Sequence, residues 1–192
     1  MSNAKQTGCL VLAPAPTGEP PERAVLLDHL RDIGFIGESF TRGQEQGFLI
    51  GDRFLQLITF MGCSPHIELT PPEDGGSFCH VRLLGPEAEA LLLIGRNAQA
   101  PRCGECRGRI EDWREHSEAW RQQPSLNQVS CPRCGALQRP VDLDWRRQAG
   151  AARLLLEVVD VFPGEAVPVP GLLRGLEGLG AGPWRYFYYL DD

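Results

Sequence analysis

Cys103-Gly-Glu-Cys106 and Cys131-Pro-Arg-Cys134 place four thiols in two pairs, each pair separated by two residues. Cysteines at that spacing can turn both sulfurs toward one ion about 2.3 Å away, and two such pairs supply the four corners of a tetrahedron. A shell of four sulfurs leaves no corner for water or substrate, so the pattern points to a structural zinc ion. Iron accepts the same ligand set and is the minor alternative. A dithiol redox pair is the weaker reading, because two pairs together suit a metal better than electron exchange.

Amides following such cysteines have to point back at the thiolates, which calls for tight or left-handed turns that glycine adopts with least strain. Gly104, Gly108 and Gly135 fall at such places, and Pro132 stiffens the second pair. This local pattern resembles the zinc-ribbon and treble-clef family of knuckles. The match is closer over Cys131-Pro-Arg-Cys134-Gly135 and looser over Cys103-Gly-Glu-Cys106-Arg107-Gly108, and it covers residues 103 to 135 only. Twenty-four residues separate Cys106 from Cys131, more than the roughly 15–20 of the usual four-cysteine template. Ile110, Trp113 and Trp120 recur there at helical spacing among acidic residues, which predicts an amphipathic helix over about 110–122, ended by Pro124, with the tryptophans as its anchors.

Other residues carry chemistry less distinctly. Cys63, His66, Cys79 and His80 would form a second metal site, or a thiol nucleophile activated by His66, if their strands pair. Buried cysteines beside strand ends are the plainer reading, since neither pair has ligand spacing on both sides. Arg102, Arg107, Arg109, Arg133 and Arg139 surround the knuckles and are candidate partner or nucleic-acid contacts, weighed against an ordinary solvated surface. Trp184, Tyr186 and Tyr188 alternate with Arg185, Phe187 and Tyr189, a pattern that suits either base stacking or core packing, with packing preferred. Asp142 and Asp144 alternate with Val141, Leu143 and Trp145 as a half-exposed strand would. The chain has no phosphate-loop, dinucleotide-binding, HExxH or GxSxG motif.

Composition bounds these readings. The 192 residues are ordinary in apolar content and carry a formal charge of −6, which argues against non-specific nucleic-acid binding by the whole chain. Basic charge is nonetheless concentrated, with eleven arginines against seven acids between Arg96 and Arg153. No apolar run approaches the roughly 20 residues of a membrane span, and nothing near Cys9 reads as a secretion signal. Seven cysteines, four of them assigned to metal, suit a reducing cytoplasmic compartment better than a disulfide framework.

The elements that must position these residues are partly periodic. Cys9 to Ala13 reads as a short strand. Pro20-Pro21 precedes a helix carrying Val25, Leu26, Leu30 and Ile33 on one face, with Gly34 as its stop. Residues 41–47 lack an apolar period and read as a loop. Phe48–Ile50 and Phe54–Phe60 read as a hairpin about Gly51-Asp52-Arg53, although Phe54, Leu57, Ile58 and Met61 also fit a helix face. Further strands are predicted at His66–Leu69, Phe78–Leu84, Ala90–Ile94, Leu154–Phe162 and Trp184–Leu190, with a short helix over Pro170–Leu179. The resulting expectation is an α+β fold with a mixed or antiparallel sheet and a few helices. Residues 1–98 form an N-terminal portion, 99–147 an inserted zinc-ribbon-like module, and 148–192 a strand-helix-strand that completes the domain. The functional expectation is a non-enzymatic interaction or adaptor protein with structural zinc and a protein partner. An enzyme using Cys63, His66, Cys79 and His80 is the first alternative, and an RNA- or DNA-binding protein the second.

Overall fold

The computed structural model describes residues 8–61, 67–123 and 126–191. Strand β1 (Gly8–Pro14) leads to helix α1 (Arg23–Asp32), whose Leu26 and Leu30 are buried while Val25 faces solvent. Gly34, at φ 69°, ends this helix. The amides of Gly34 and Phe35 return to the carbonyls of Arg31 and Leu30, so the last turn closes in a Schellman motif.

Residues expected to be a loop form a hairpin instead. Strands β2 (Ile36–Arg42) and β3 (Glu45–Ile50) pair antiparallel across a two-residue turn begun by Gly43, at φ 62°. β2 is an edge strand, exposed or only half-buried beyond Ile36, so it has no fully buried face to impose the alternation that would betray it in sequence. The hairpin expected about Gly51–Arg53 is also overturned. Phe54–Leu57 is a single helical turn (α2), and Ile58–Phe60 (β4) joins a different sheet. The amides of Gly51 and Arg53 bond the carbonyls of Phe35 and Gly34, which pins this segment to the end of α1.

The remaining elements are β5 (His80–Leu84), β6 (Leu91–Ile94), α3 (Trp113–Gln122), β7 (Val129–Ser130), β8 (Leu137–Gln138), β9 (Ala149–Ala152), β10 (Leu155–Val161), β11 (Ala166–Pro168), α4 (Pro170–Glu177) and β12 (Trp184–Tyr189). Residues 67–69 lie outside any strand, contrary to the strand expected at His66–Leu69; His66 itself, like Pro124, falls outside the described residues. Residues 140–142 form a 3-10 turn followed by one isolated bridge at Asp144, where a half-exposed strand was expected. Pro140 sets that turn, and the alternating burial of Leu143 and Trp145 survives without a ladder.

Six strands form one antiparallel sheet in the order β12-β1-β10-β5-β3-β2. Together with the four helices among the described residues this is an α+β fold. One face carries Leu10, Leu12, Val81, Leu156 and Val158 and packs with Leu26 and Leu30 of α1 and Leu172 and Leu176 of α4. On the other face Val11, Leu155 and Phe187 meet Ala152 of β9, and half-buried Arg82 pairs with buried Glu157 of the neighbouring strand at 2.9 Å. A second apolar cluster joins the β6–β9 pair to Cys103, Ile110, Trp113, Trp120, Cys131, Leu143 and Trp145.

Gly150 lies at the seam of these layers, where an added Cβ would collide with the ring of Phe187. Gly150→Ala is expected to destabilise the fold by about 1–3 kcal/mol, the ordinary penalty of overpacking, measurable as a shifted urea midpoint.

Candidate metal centre

Both cysteine pairs sit on knuckles built alike. In the first, the Cys103 amide bonds the Gly108 carbonyl at 2.8 Å and the Arg107 amide bonds the Cys103 carbonyl at 3.0 Å. In the second, Cys131 to Ala136 measures 2.9 Å and Gly135 to Cys131 2.8 Å, at the same sequence offsets. The fifth residue of each knuckle is left-handed: Gly135 at φ 74° and Arg107 at φ 61°. Gly135 thus fills the expected role, whereas Gly104 and Gly108 do not adopt a left-handed backbone; Gly108 instead donates its amide to Cys106 Sγ at 3.4 Å. Gly108 also packs against Arg133 of the opposite knuckle, which leaves little room for a side chain. β7 and β8 pair around the second knuckle, and a bridge between Arg102 and Arg109 closes the first.

These loops bring the Sγ atoms of Cys103, Cys106, Cys131 and Cys134 within 4.8 Å of one another, an arrangement that could hold a metal ion. The Cys103–Cys134 and Cys106–Cys131 separations are 3.8 and 3.6 Å. A regular tetrahedron with metal–sulfur bonds of about 2.3 Å has edges of about 3.8 Å, so these distances fit, and they are far too long for the roughly 2.05 Å of a disulfide. The thiols share protons unequally. The amide of Cys134, then that of Arg133, holds the Cys131 thiol down at about 7. At Cys134 the Ala136 amide favours the thiolate, but the crowded sulfurs of Cys106, Cys131 and Cys103 push it up to about 12. A divalent cation removes this conflict by stabilising all four thiolates at once.

The cluster is walled on one side by aromatic rings. Trp113 and Trp145 meet edge to face at 5.5 Å, Trp120 and Trp145 at 6.3 Å, and the Trp145 indole N–H bonds the Pro140 carbonyl at 3.0 Å. Trp113 and Trp120 are the buried residues of α3, as the anchors of an amphipathic helix should be, and Arg121 ties the helix to the carbonyl of Ile94 on β6.

Of the second candidate constellation, Cys63 and His66 lie outside the described residues. Cys79 and His80 are neighbours in an extended segment and so project to opposite faces. Cys79 enters the main apolar cluster, and burial pushes its thiol up to about 12. His80 lies between Phe78 and Phe40, its Nδ1 2.9 Å from the Phe78 carbonyl and its Nε2 3.1 Å from Glu45 Oε1; burial holds its pKa below the ordinary imidazole value.

The knuckle arginines are largely spent on local partners. Arg107 pairs with Asp144 at 2.6 Å, Arg109 with Glu111 at 3.1 Å, and Arg139 grips both oxygens of Asp142 at 2.7 and 3.1 Å. Arg133 donates to the Cys106 carbonyl, and Arg102 is held through its backbone to Asp144. Trp184, Tyr186 and Tyr188 pack with the main core, Tyr188 also bonding the Ala166 carbonyl. Arg146, Arg147 and Arg185, clustered beside the knuckles, are among the arginines whose guanidinium groups have no carboxylate partner among the described residues. No local signal distinguishes these residues, since an Arg-Arg dipeptide is not a turn signal.

Compared with known proteins, the chain matches no family model, no curated protein and no solved structure. No helix among the described residues is long and apolar enough to cross a membrane.

Proposed function

We propose that Cys103, Cys106, Cys131 and Cys134 bind one zinc ion in a closed, zinc-ribbon-like structural centre, and that the protein is a non-enzymatic interaction or adaptor protein of a reducing cytoplasmic compartment. On this reading residues 99–147 are a module inserted between 1–98 and 148–192, and the ion supplies the order that so short a segment could not reach by apolar burial alone. The observation that carries the reading is the sulfur geometry: the four thiols lie within 4.8 Å of one another, two of the separations at 3.8 and 3.6 Å, and four such ligands would fill every corner of a zinc ion and leave none for chemistry.

Cobalt substitution tests it. The Co2+-loaded protein is expected to show the visible spectrum of a four-thiolate tetrahedron, unchanged by added azide or imidazole. A spectrum that responds to either ligand would reveal an open coordination position and overturn the structural assignment in favour of a reactive metal.

A further inference from the structure

We infer that the cleft between the cysteine knuckles and β12 is a binding site for nucleoside phosphates, presented as a free nucleotide or as a single-stranded nucleic acid. The cleft encloses about 820 Å3 and is walled by Arg107, Arg146, Arg147, Arg185, Trp184 and Tyr186, among others. Its volume lies in the range of small-molecule sites and far exceeds that of an inorganic anion.

The observation that carries this is a turn with the wrong residues in it. Gln148 donates its amide to the Trp145 carbonyl at 3.0 Å, and the two residues between, Arg146 and Arg147, stand at φ 50° and φ 63°. A two-residue turn with both central residues left-handed is the type I′ geometry, for which Asn-Gly is the natural choice because Cβ crowds the backbone carbonyl there, a clash that glycine lacks and asparagine offsets by local hydrogen bonding. Here two arginines occupy it. A local rule broken in this way marks a place where side chains are kept for a purpose other than folding.

Both arginines line the cleft. Arg146 is steered by Gln99 and the Ala100 carbonyl, and its amide bonds Asp144 Oδ1. Arg147 lays its guanidinium over the Tyr186 ring at 4.3 Å, while its carbonyl receives the Tyr188 amide and so fixes the turn to β12. No carboxylate pairs with the guanidinium of Arg146, Arg147 or Arg185 among the described residues, although the chain as a whole carries a net charge of −6. Asp142 and Asp144 also line the cleft, but they are engaged by Arg139 and Arg107, so the three remaining guanidinium groups leave an excess of positive charge in one concave place. A guanidinium held over an aromatic ring is restricted in its motion and so pre-organised for forked bonds to phosphate oxygens. Trp184, in the same wall, also keeps a buried indole N–H with no acceptor among the described residues.

This deepens the reading of the protein as a binding module and rests on it only in needing the knuckles folded, so the test uses the intact 192-residue chain with verified metal content. A fluorescent single-stranded oligonucleotide of ten thymidines is titrated against protein at several salt concentrations, with 5′-AMP and a glutamate-rich peptide as competitors. Expected is binding that weakens with salt and is displaced by AMP and not by the peptide. Equal affinity for AMP and oligonucleotide would assign a free nucleotide, and a tighter oligonucleotide with a steeper salt slope would assign a strand. The variant carrying Arg146→Asn and Arg147→Gly installs the residues the turn prefers, so it should melt no lower than the parent while binding roughly tenfold to a hundredfold more weakly. Its salt slope for the oligonucleotide should fall by about 1.4, the share of two phosphate contacts. Arg185→Gln, an exposed change, should weaken binding in the same direction. Absence of binding at low salt by metal-loaded protein, an unaltered affinity in these variants, or displacement by the peptide and not by AMP would each overturn the assignment.

Discussion

Replacing Cys131 with serine is expected to remove the bound metal and, with it, the order of the segment around the knuckles. Serine keeps the shape of the side chain but cannot supply a thiolate, and the remaining three sulfurs lose the partner that stands 3.6 Å from Cys106. Apparent binding energies for structural zinc in small peptides run to about 10–16 kcal/mol, so the loss cannot be absorbed by the short ladder of β7 and β8, two residues each. Bound zinc should drop from one equivalent to a trace, and the thermal midpoint by on the order of 10 °C. The near-ultraviolet dichroism of Trp113, Trp120 and Trp145 should flatten, because these rings pack in the same cluster as Cys103 and Cys131. Cys79→Ala is the control: that side chain lies in the main core, away from the knuckles, and one equivalent of zinc should remain. Full metal content and an unchanged melting profile in the serine variant would contradict the assignment.

The second large effect is expected on the far face of the main sheet. Arg82→Ala leaves the carboxylate of Glu157, buried on β10, without the guanidinium that now bonds it at 2.9 and 3.0 Å. Stripping one partner from a buried pair costs about 3–5 kcal/mol; here the lower end applies, about 3 kcal/mol, because Arg82 is 35% exposed and water reaches it. Burial already raises the Glu157 carboxyl above its ordinary value, with Arg82 opposing the rise. A carboxyl whose folded pKa lies above the unfolded one takes up a proton on folding. Its contribution therefore favours the fold below the ordinary carboxylate range and is lost as pH rises through the folded value. Removing Arg82 raises that folded value further, so the cost of the substitution should be largest at neutral and alkaline pH and shrink on acidification. Urea unfolding of parent and variant at matched pH checks this, since any loss of metal in acid would affect both proteins. A cost independent of pH would mean that Arg82 acts through packing alone. Arg82→Met combined with Glu157→Leu should recover most of the loss.

What could be read from sequence followed how locally each feature is determined. The knuckles were legible because a metal site is specified by a few ligands at fixed offsets, and the clustering of all four cysteines agrees with that reading. Helix α1 was legible through its apolar period and Gly34, and β1, β10 and β12 through long buried or aromatic runs. β2 was not, because an edge strand with Glu38, Ser39 and Thr41 exposed has no alternation to display. The segment after Gly51 misled for a different reason: a short apolar run fits helix and strand equally, and contacts to Gly34 and Phe35, distant from any local signal, decided for a helical turn. At the candidate cleft the failure was of another kind. Arginines at Arg102, Arg107, Arg109, Arg133 and Arg139 stood out by nearness to the cysteines, yet pairing with Asp142, Asp144 and Glu111 is a property of the folded surface. Arg146 and Arg147 went unnoticed because their turn contradicts its own sequence preference.

The most direct test is X-ray absorption at the zinc edge on protein purified under reducing conditions, with metal content measured on the same sample. The account predicts one zinc per chain surrounded by four sulfur atoms at about 2.3 Å, with no nitrogen or oxygen ligand. Absence of metal, or a shell in which nitrogen or oxygen replaces any of the four sulfurs, would contradict it.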